Sequence, residues 1–216
     1  MIDMKEMAKQ LRLPEGENSK IVTEFMSKGN RTLYDFTLDQ FTFFSSAEVL
    51  EIGPANGFFV QKLFERNNSL SYTGLDLSHD MITEANELNS ELVTNGNARF
   101  VYGDVVSLPF RDASFDIIFT VNTLYFWSDP KVGMAELKRV LRPNGKLVIA
   151  IRSKETMVNM PFTEYGFQLY SKVDLQNLFS ENGFNDATIS SKMEDITLPS
   201  GVSVNIESFC ALGEKR

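Results

Sequence analysis

The segment Glu51-Ile-Gly-Pro-Ala-Asn-Gly57 joins a carboxylate to a glycine-rich turn. Gly53 and Gly57 permit close backbone approach to a ligand, and a helix that follows would aim its N-terminal N–H groups at it. Glu51 narrows the ligand, since a carboxylate beside the loop suits a cationic amino group and repels a pyrophosphate. Ala55, the small residue between the two glycines, serves there if its φ is negative. Asp76 stands 25 residues after Glu51, and a carboxylate at such a place accepts both hydroxyls of a ribose. Gly103-Asp104-Val105 offers a carboxylate for an exocyclic amino group such as adenine's, with the Val105 N–H for a ring nitrogen. In Thr120-Val-Asn122-Thr-Leu-Tyr-Phe-Trp127, polar Asn122 interrupts an apolar run and an aromatic cluster follows, the pattern of a pocket floor opening into a chamber. Singly, each has a plainer reading: a structural turn, a capping aspartate beside Ser78, a turn aspartate, core aromatics. Their order is what counts.

To act together, these residues must sit at the same ends of neighbouring strands. From Glu48 onward short apolar segments alternate with helices, the rhythm of βαβ units and a parallel sheet. Strands are predicted at 48–52, 71–75, 98–102, 115–121 and 146–151, the fourth being apolar throughout and so buried on both faces. One helix follows Gly57, and a second runs from Ser78, its N-cap, to about Val93. A third starts at Asp129-Pro130 and ends near Leu141, and Arg142-Pro-Asn-Gly145 is a turn. A helix over 173–182 closes at Gly183, and 186–191 and 204–212 form an antiparallel edge hairpin. The four chemical segments then fall at the carboxyl ends of four strands, where open α/β sheets hold ligands. Ahead of the sheet, residues 1–45 read as helices at 4–13, 21–28 (stopped by Gly29-Asn30) and 33–44, with a loop at 14–19. Residues 153–170 lack strand patterning and carry four aromatics.

Taken together the motifs resemble class I S-adenosylmethionine-dependent methyltransferases, especially the small-molecule group that includes the ubiquinone and menaquinone biosynthesis enzymes. The resemblance runs from about Val49 to Ile151. It covers the acidic-glycine loop, Gly74-Leu-Asp76-x-Ser78-x-x-Met81, Gly103-Asp104 with Leu108-Pro109-Phe110, Phe115-Asp116, and Glu136-x-x-Arg139-Val-Leu141-x-Pro143-x-Gly145. Ala55 in place of the loop's middle glycine is the one departure. The implied fold is a three-layer, doubly wound, mostly parallel seven-stranded sheet with an antiparallel last strand, a Rossmann-like domain over 46–216 behind an N-terminal helical lid over 1–45. The implied cofactor is S-adenosyl-L-methionine, with Glu51 toward the methionine amino group and Gly53, Ala55 and Gly57 along the methionyl part. Asp76 would hold the ribose, Leu77 lie beside the adenine, Asp104 and Val105 bind it, and Asn122 close the floor. Tyr34, Phe36, Tyr125, Trp127, Tyr165 and Phe167 would surround a small apolar or aromatic methyl acceptor. His79, the single histidine, reads as an exposed residue at a helix start rather than a base.

Composition narrows the field further. The chain has 216 residues and a net charge of −8, with no strong basic cluster, which argues against nucleic acid as partner. Asn122-Thr-Leu-Tyr125 also lacks the prolines or cysteine of nucleic-acid methyltransferases. No apolar run reaches the length of a membrane span. One cysteine, Cys210, excludes an internal disulfide and fits a reducing, cytoplasmic setting. No metal-binding Cys/His cluster is present, and a monomer or homodimer is expected. Two alternatives stay open at this point: a nicotinamide-dependent oxidoreductase, which Glu51 disfavours, and a non-catalytic protein that binds an adenosyl ligand.

Overall fold

The computed structural model describes residues 2–42, 45–197 and 203–216. Seven strands, β1 (Glu48–Ile52), β2 (Ser71–Asp76), β3 (Ala98–Tyr102), β4 (Phe115–Val121), β5 (Leu141–Arg152), β6 (Thr188–Thr197) and β7 (Ser203–Glu214), form one sheet. Their order is β3-β2-β1-β4-β5-β7-β6. The first five pair in parallel, and β7 inserts antiparallel between β5 and β6. The chain reverses direction across the sheet between β1 and β4, and a crevice opens at such a switch point.

Two-residue alternation along the strands decides which side chains meet which layer. Leu50 and Ile52 pack with Leu137 and Val140 of α7 (Pro130–Val140) and with Leu175 and Phe179 of α9 (Lys172–Glu181). Val49 points the other way, into a cluster with Leu33, Tyr34 and Leu38 of α3 (Arg31–Leu38) and with Val60 and Leu63 of α4 (Val60–Arg66). Helices therefore cover both faces, giving three layers. Each fully buried aliphatic here contributes roughly 1.5–3 kcal/mol. The same alternation puts Glu51 on Val49's face, a carboxylate under α3 with 3% exposure.

Three local differences from the sequence reading have physical causes. The helix predicted over 78–93 is two, α5 (His79–Leu88) and α6 (Ser90–Thr94), broken at Asn89. Asn89 turns its side chain inward, where Nδ2 donates to the carbonyls of Gly57 and Ala85. The turn at 142–145 is an interruption inside β5: pairing steps from Phe115↔Leu141 to Ile117↔Lys146, and Asn144 takes a positive φ of 62°. The helix predicted over 33–44 is Arg31–Leu38, and Phe43 and Phe44 lie outside the described residues. Two earlier helices, α1 (Met4–Arg12) and α2 (Ser19–Gly29), and a short α8 (Lys154–Met157) lie at the strand ends. Ser78 Oγ donates to the Pro14 carbonyl at 2.6 Å and the Gly16 N–H to Asp80 at 2.9 Å, tying the α1–α2 loop to the start of α5. Among the described residues no helix is long and apolar enough to cross a membrane.

Candidate active site at the carboxyl ends of the strands

A cavity opens where the strand order reverses, and Glu51, Gly53, Ala55, Asp76, Leu77, Asp104, Val105 and Asn122 all line it. At its foot Glu51 Oε2 accepts from Tyr72 Oη at 2.7 Å and Tyr34 Oη at 3.0 Å. Burial lifts Glu51 to about 7, although both phenols favour its ionised form. The two phenols are themselves pushed well above their usual range by burial and by this carboxylate. Gly74 stands beside Glu51 in the β1–β2 register. A Cβ there would lie 2.9 Å from Phe100 and Pro54 and 3.1 Å from Tyr72 Oη, so the absent side chain leaves Tyr72 its route across the strand.

Asp76 ends β2 and braces the loop above Glu51. Its two oxygens accept the N–H of Ala55 at 3.0 Å and of Ser78 at 2.9 Å. Burial raises it to about 6 against those backbone hydrogen bonds. Ala55 has φ +49°, not the negative value expected from its side chain. A left-handed alanine costs about 1–2 kcal/mol, and the carboxylate–amide bond from Asp76 holds the loop in that shape. Gly57 also has a positive φ, +68°, but does not line the cavity: a Cβ there would meet Asn89 Nδ2 at 2.7 Å and Phe100 at 3.1 Å. It is a packing glycine that supports the loop from behind.

The far half of the cavity is built by the ends of β4 and β5 and by residues beyond them. Asn122 has φ +58°, a conformation asparagine tolerates better than most residues. Its Nδ2 donates to Asn30 Oδ1 at 2.9 Å, and its Oδ1 lies 3.1 Å from the donor Tyr125 Oη. Tyr125 Oη accepts the Arg152 N–H at 2.6 Å and faces the Arg152 carbonyl at 3.0 Å. That hydroxyl is committed to the floor, and burial pushes its pKa up. Trp127 lines the cavity too, its Nε1 donating to Thr123 Oγ1 at 3.1 Å.

Two of the aromatics expected around an acceptor are elsewhere. Tyr165 is exposed and outside the cavity wall; Gly166 beside it has φ +85°, and Phe167 after it reaches the wall, packed on Tyr125, Phe126 and Phe162. Phe36, itself on α3, packs against the core outside the cavity wall with Lys192 over its ring. Tyr34 lines the cavity, yet its hydroxyl is spent on Glu51 and its ring stacks on Phe59 at 4.5 Å. His79 stacks on Tyr102 at 3.9 Å, outside the wall. Sequence reading missed Tyr72, Asn30, Met157, Phe162 and Arg152, and took Thr123 and Phe126 only as part of the segment after strand four. Of these, Arg152 carried a visible signal, a charge directly after the apolar strand segment 146–151.

The donor set in the first half of the cavity is three carboxylates, Glu51, Asp76 and Asp104. Among the described residues no Lys or Arg pairs with Glu51 or Asp76, whose partners are phenols and backbone N–H groups, so this half of the cavity favours a cationic ligand. A sulfonium with an amino group and a ribose meets that demand, and a pyrophosphate does not.

Residues 50–149 match the methyltransferase domain family. The chain is 26% identical over 168 residues to methyltransferase YdaC of Bacillus subtilis, covering 77% of this chain and 87% of that one. It is 29% identical over 150 residues to the O-methyltransferase cnsE of Penicillium expansum, covering 67% and 51%. It is 35% identical over 100 residues to the demethylmenaquinone methyltransferase of Staphylococcus haemolyticus, covering 46% and 39%. The chain thus spans only about half or less of the last two relatives. A solved S-adenosylmethionine-dependent methyltransferase from Aquifex aeolicus shares the fold over the full length of both chains, at 19% identity and a TM-score of 0.67. Domain match and strand order agree: residues 50–149 carry a methyltransferase domain, and the chain has the fold of solved S-adenosylmethionine-dependent methyltransferases.

Proposed function

We propose that the cavity holds S-adenosylmethionine along the ends of β1, β2 and β3 and presents it to a small apolar or aromatic metabolite bound beyond β4 and β5. Glu51 takes the amino group and Asp76 the ribose hydroxyls. Leu77 lies against the adenine, while Asp104 and the Val105 N–H bind its edge. Gly53 and Ala55 give the methionyl part a close backbone wall, and Asn122 forms the floor. When bound, the cofactor would supply an activated methyl group on a cationic sulfur, with Glu51 and Asp76 holding its amino group and ribose.

The protein's task in such a transfer is to orient and to exclude water. Residues 1–45 act as a lid in this reading, through Leu11, Pro14, Phe25 and Met26 on the cavity wall. Phe126, Trp127, Met157, Phe162 and Phe167 form the apolar acceptor chamber. Tyr125 positions the floor and does not serve as a base, because its hydroxyl is already bonded within the protein. O-methyltransferase relatives support a small-molecule acceptor.

The single observation that carries this reading is the buried Glu51 carboxylate at the foot of a crevice whose first half is acidic. Calorimetry tests it: S-adenosylhomocysteine should bind, weaken in Glu51→Gln and be lost in Asp76→Ala. Tight binding of NAD with no binding of S-adenosylhomocysteine would refute it. Turnover of radiolabelled methyl donor across a metabolite panel separates an enzyme from a binding protein.

A further inference from the structure

The charges around the cavity are sorted along the sheet. Carboxylates end β1 and β2 and follow β3, whereas the cavity's two guanidinium groups, Arg152 and Arg12, come from the end of β5 and the end of α1. A cationic methyl donor accounts for the first group and leaves the second without a purpose.

Arg152 is the more informative, because it is 9% exposed and only partly satisfied. Its guanidinium makes one hydrogen bond within the protein, from Nη2 to the Gly29 carbonyl at 2.6 Å. Its Nε is sealed from solvent with no hydrogen-bond partner. Nε faces the buried carboxylate of Glu194, an ion pair at 3.8 Å on the side away from the cavity wall, where Glu194 Oε1 also accepts from Ser208 Oγ at 2.7 Å, so the arm left for a cavity ligand is Nη1, which makes no hydrogen bond among the described residues. A guanidinium held in place by Glu194 and Gly29 with one arm free can take a further acceptor at that arm. Around it the wall is apolar, with Phe126, Met157, Phe162 and Phe167.

We infer that the methyl acceptor is an organic acid, its carboxylate anchored by Arg152 with help from Arg12 and its apolar or aromatic body lying on Phe126, Phe162 and Phe167. The inference rests on the methyl-transfer reading for the word acceptor, but the acid site stands or falls by itself. A carboxylate presents two oxygens in the plane that a guanidinium fork matches. An anion on the β5 side also sits in the field of the cationic donor and is drawn toward it.

Matched probes test this: 2-naphthoate against 2-naphthamide, and octanoate against octanamide, titrated by calorimetry into the protein saturated with S-adenosylhomocysteine. At least one acid should bind about tenfold or more tightly than its amide, a gap of about 1.4 kcal/mol. Arg152→Met should bring acid and amide to within about twofold, Arg152→Lys should fall between, and the surface change Arg12→Ala should cut the preference about threefold. S-adenosylhomocysteine affinity in each variant reports that the fold is intact, and a purely structural Arg152 would lower both probes alike without changing their ratio. Equal binding of acid and amide, no binding of either acid up to about 10 mM, or a preference that survives Arg152→Met would overturn the inference. Should wild-type protein fail to bind S-adenosylhomocysteine yet keep an Arg152-dependent preference for acids, the donor reading falls and the acid site remains.

Discussion

Affinity for S-adenosylhomocysteine should drop steeply as pH falls below neutrality, and Glu51→Gln should abolish most of the drop. Burial holds Glu51 at about 7 and Asp76 at about 6 in the free protein. The ligand's amino group is cationic throughout this range, so it binds the ionised carboxylate and binding takes a proton from whatever fraction still carries one. With a free value near 7, Glu51 is about nine-tenths ionised at pH 8 and about one-tenth at pH 6, roughly a tenfold loss of affinity. Asp76, about half ionised at pH 6, adds roughly a factor of two. Wild-type protein should therefore bind about twentyfold more weakly at pH 6 than at pH 8, and Glu51→Gln should retain only the twofold part. Calorimetry at pH 6, 7 and 8 in two buffers of different ionisation enthalpy measures both the affinity and the proton released. A flat wild-type profile, or a steep one that persists in Glu51→Gln, would show that Glu51 does not meet the ligand's charge.

Without ligand, the same carboxylate should cost stability. Its folded value lies above the unfolded 4.5, so the native state binds the extra proton between about 4.5 and 7, and stability falls as pH rises through that window. Glu51→Gln should accordingly stabilise the ligand-free protein at pH 8 by roughly 3 kcal/mol in urea unfolding, with little gain at pH 4. Ala55→Gly should relieve left-handed strain and raise the melting temperature by about 2–4 °C, whereas Ala55→Val should lower it. Once an acceptor is in hand, Phe167→Ala should raise its KM and Tyr165→Ala should leave it unchanged, since only Phe167 reaches the wall.

The sheet was legible because apolar strands announce themselves by composition and length, and five parallel strands came out within a residue or so at most ends. Interruptions were harder. Asn89 breaks a continuous helical pattern through a contact with Gly57, 32 residues away, and no local signal reports that. Among site residues, the carboxylates at strand ends could be read because position along a strand fixes them. The aromatics could not, since whether Tyr165 or Phe167 turns inward depends on the left-handed Gly166 between them. Tyr72 was hidden for another reason: it looked like an ordinary strand aromatic, and its role appears only once Gly74 is seen to clear its path.

The two halves of the cavity have different origins in the chain, and this bears on where specificity resides. Residues 50–149, the stretch matching the methyltransferase domain, contain Glu51, Asp76, Asp104 and Asn122. The other half joins Tyr125, Phe126 and Trp127 of that stretch to residues before and after it, and the elements meet through long-range hydrogen bonds: Tyr34 to Glu51, Asn122 to Asn30, Arg152 to Gly29. Each of the three joins a residue of α3 or the α2–α3 junction to the end of β1, to the turn after β4, or to β5. A change that shifts α3 together with the α2–α3 junction therefore reaches Glu51, Asn122 and Arg152 at once. A chain that keeps the central hundred residues can therefore keep the acidic half of the crevice while changing the parts of the other half that come from residues 1–49 and 150–216. On that argument substitutions at Arg12, Arg152, Phe162 and Phe167 should change acceptor choice more than substitutions in the glycine loop.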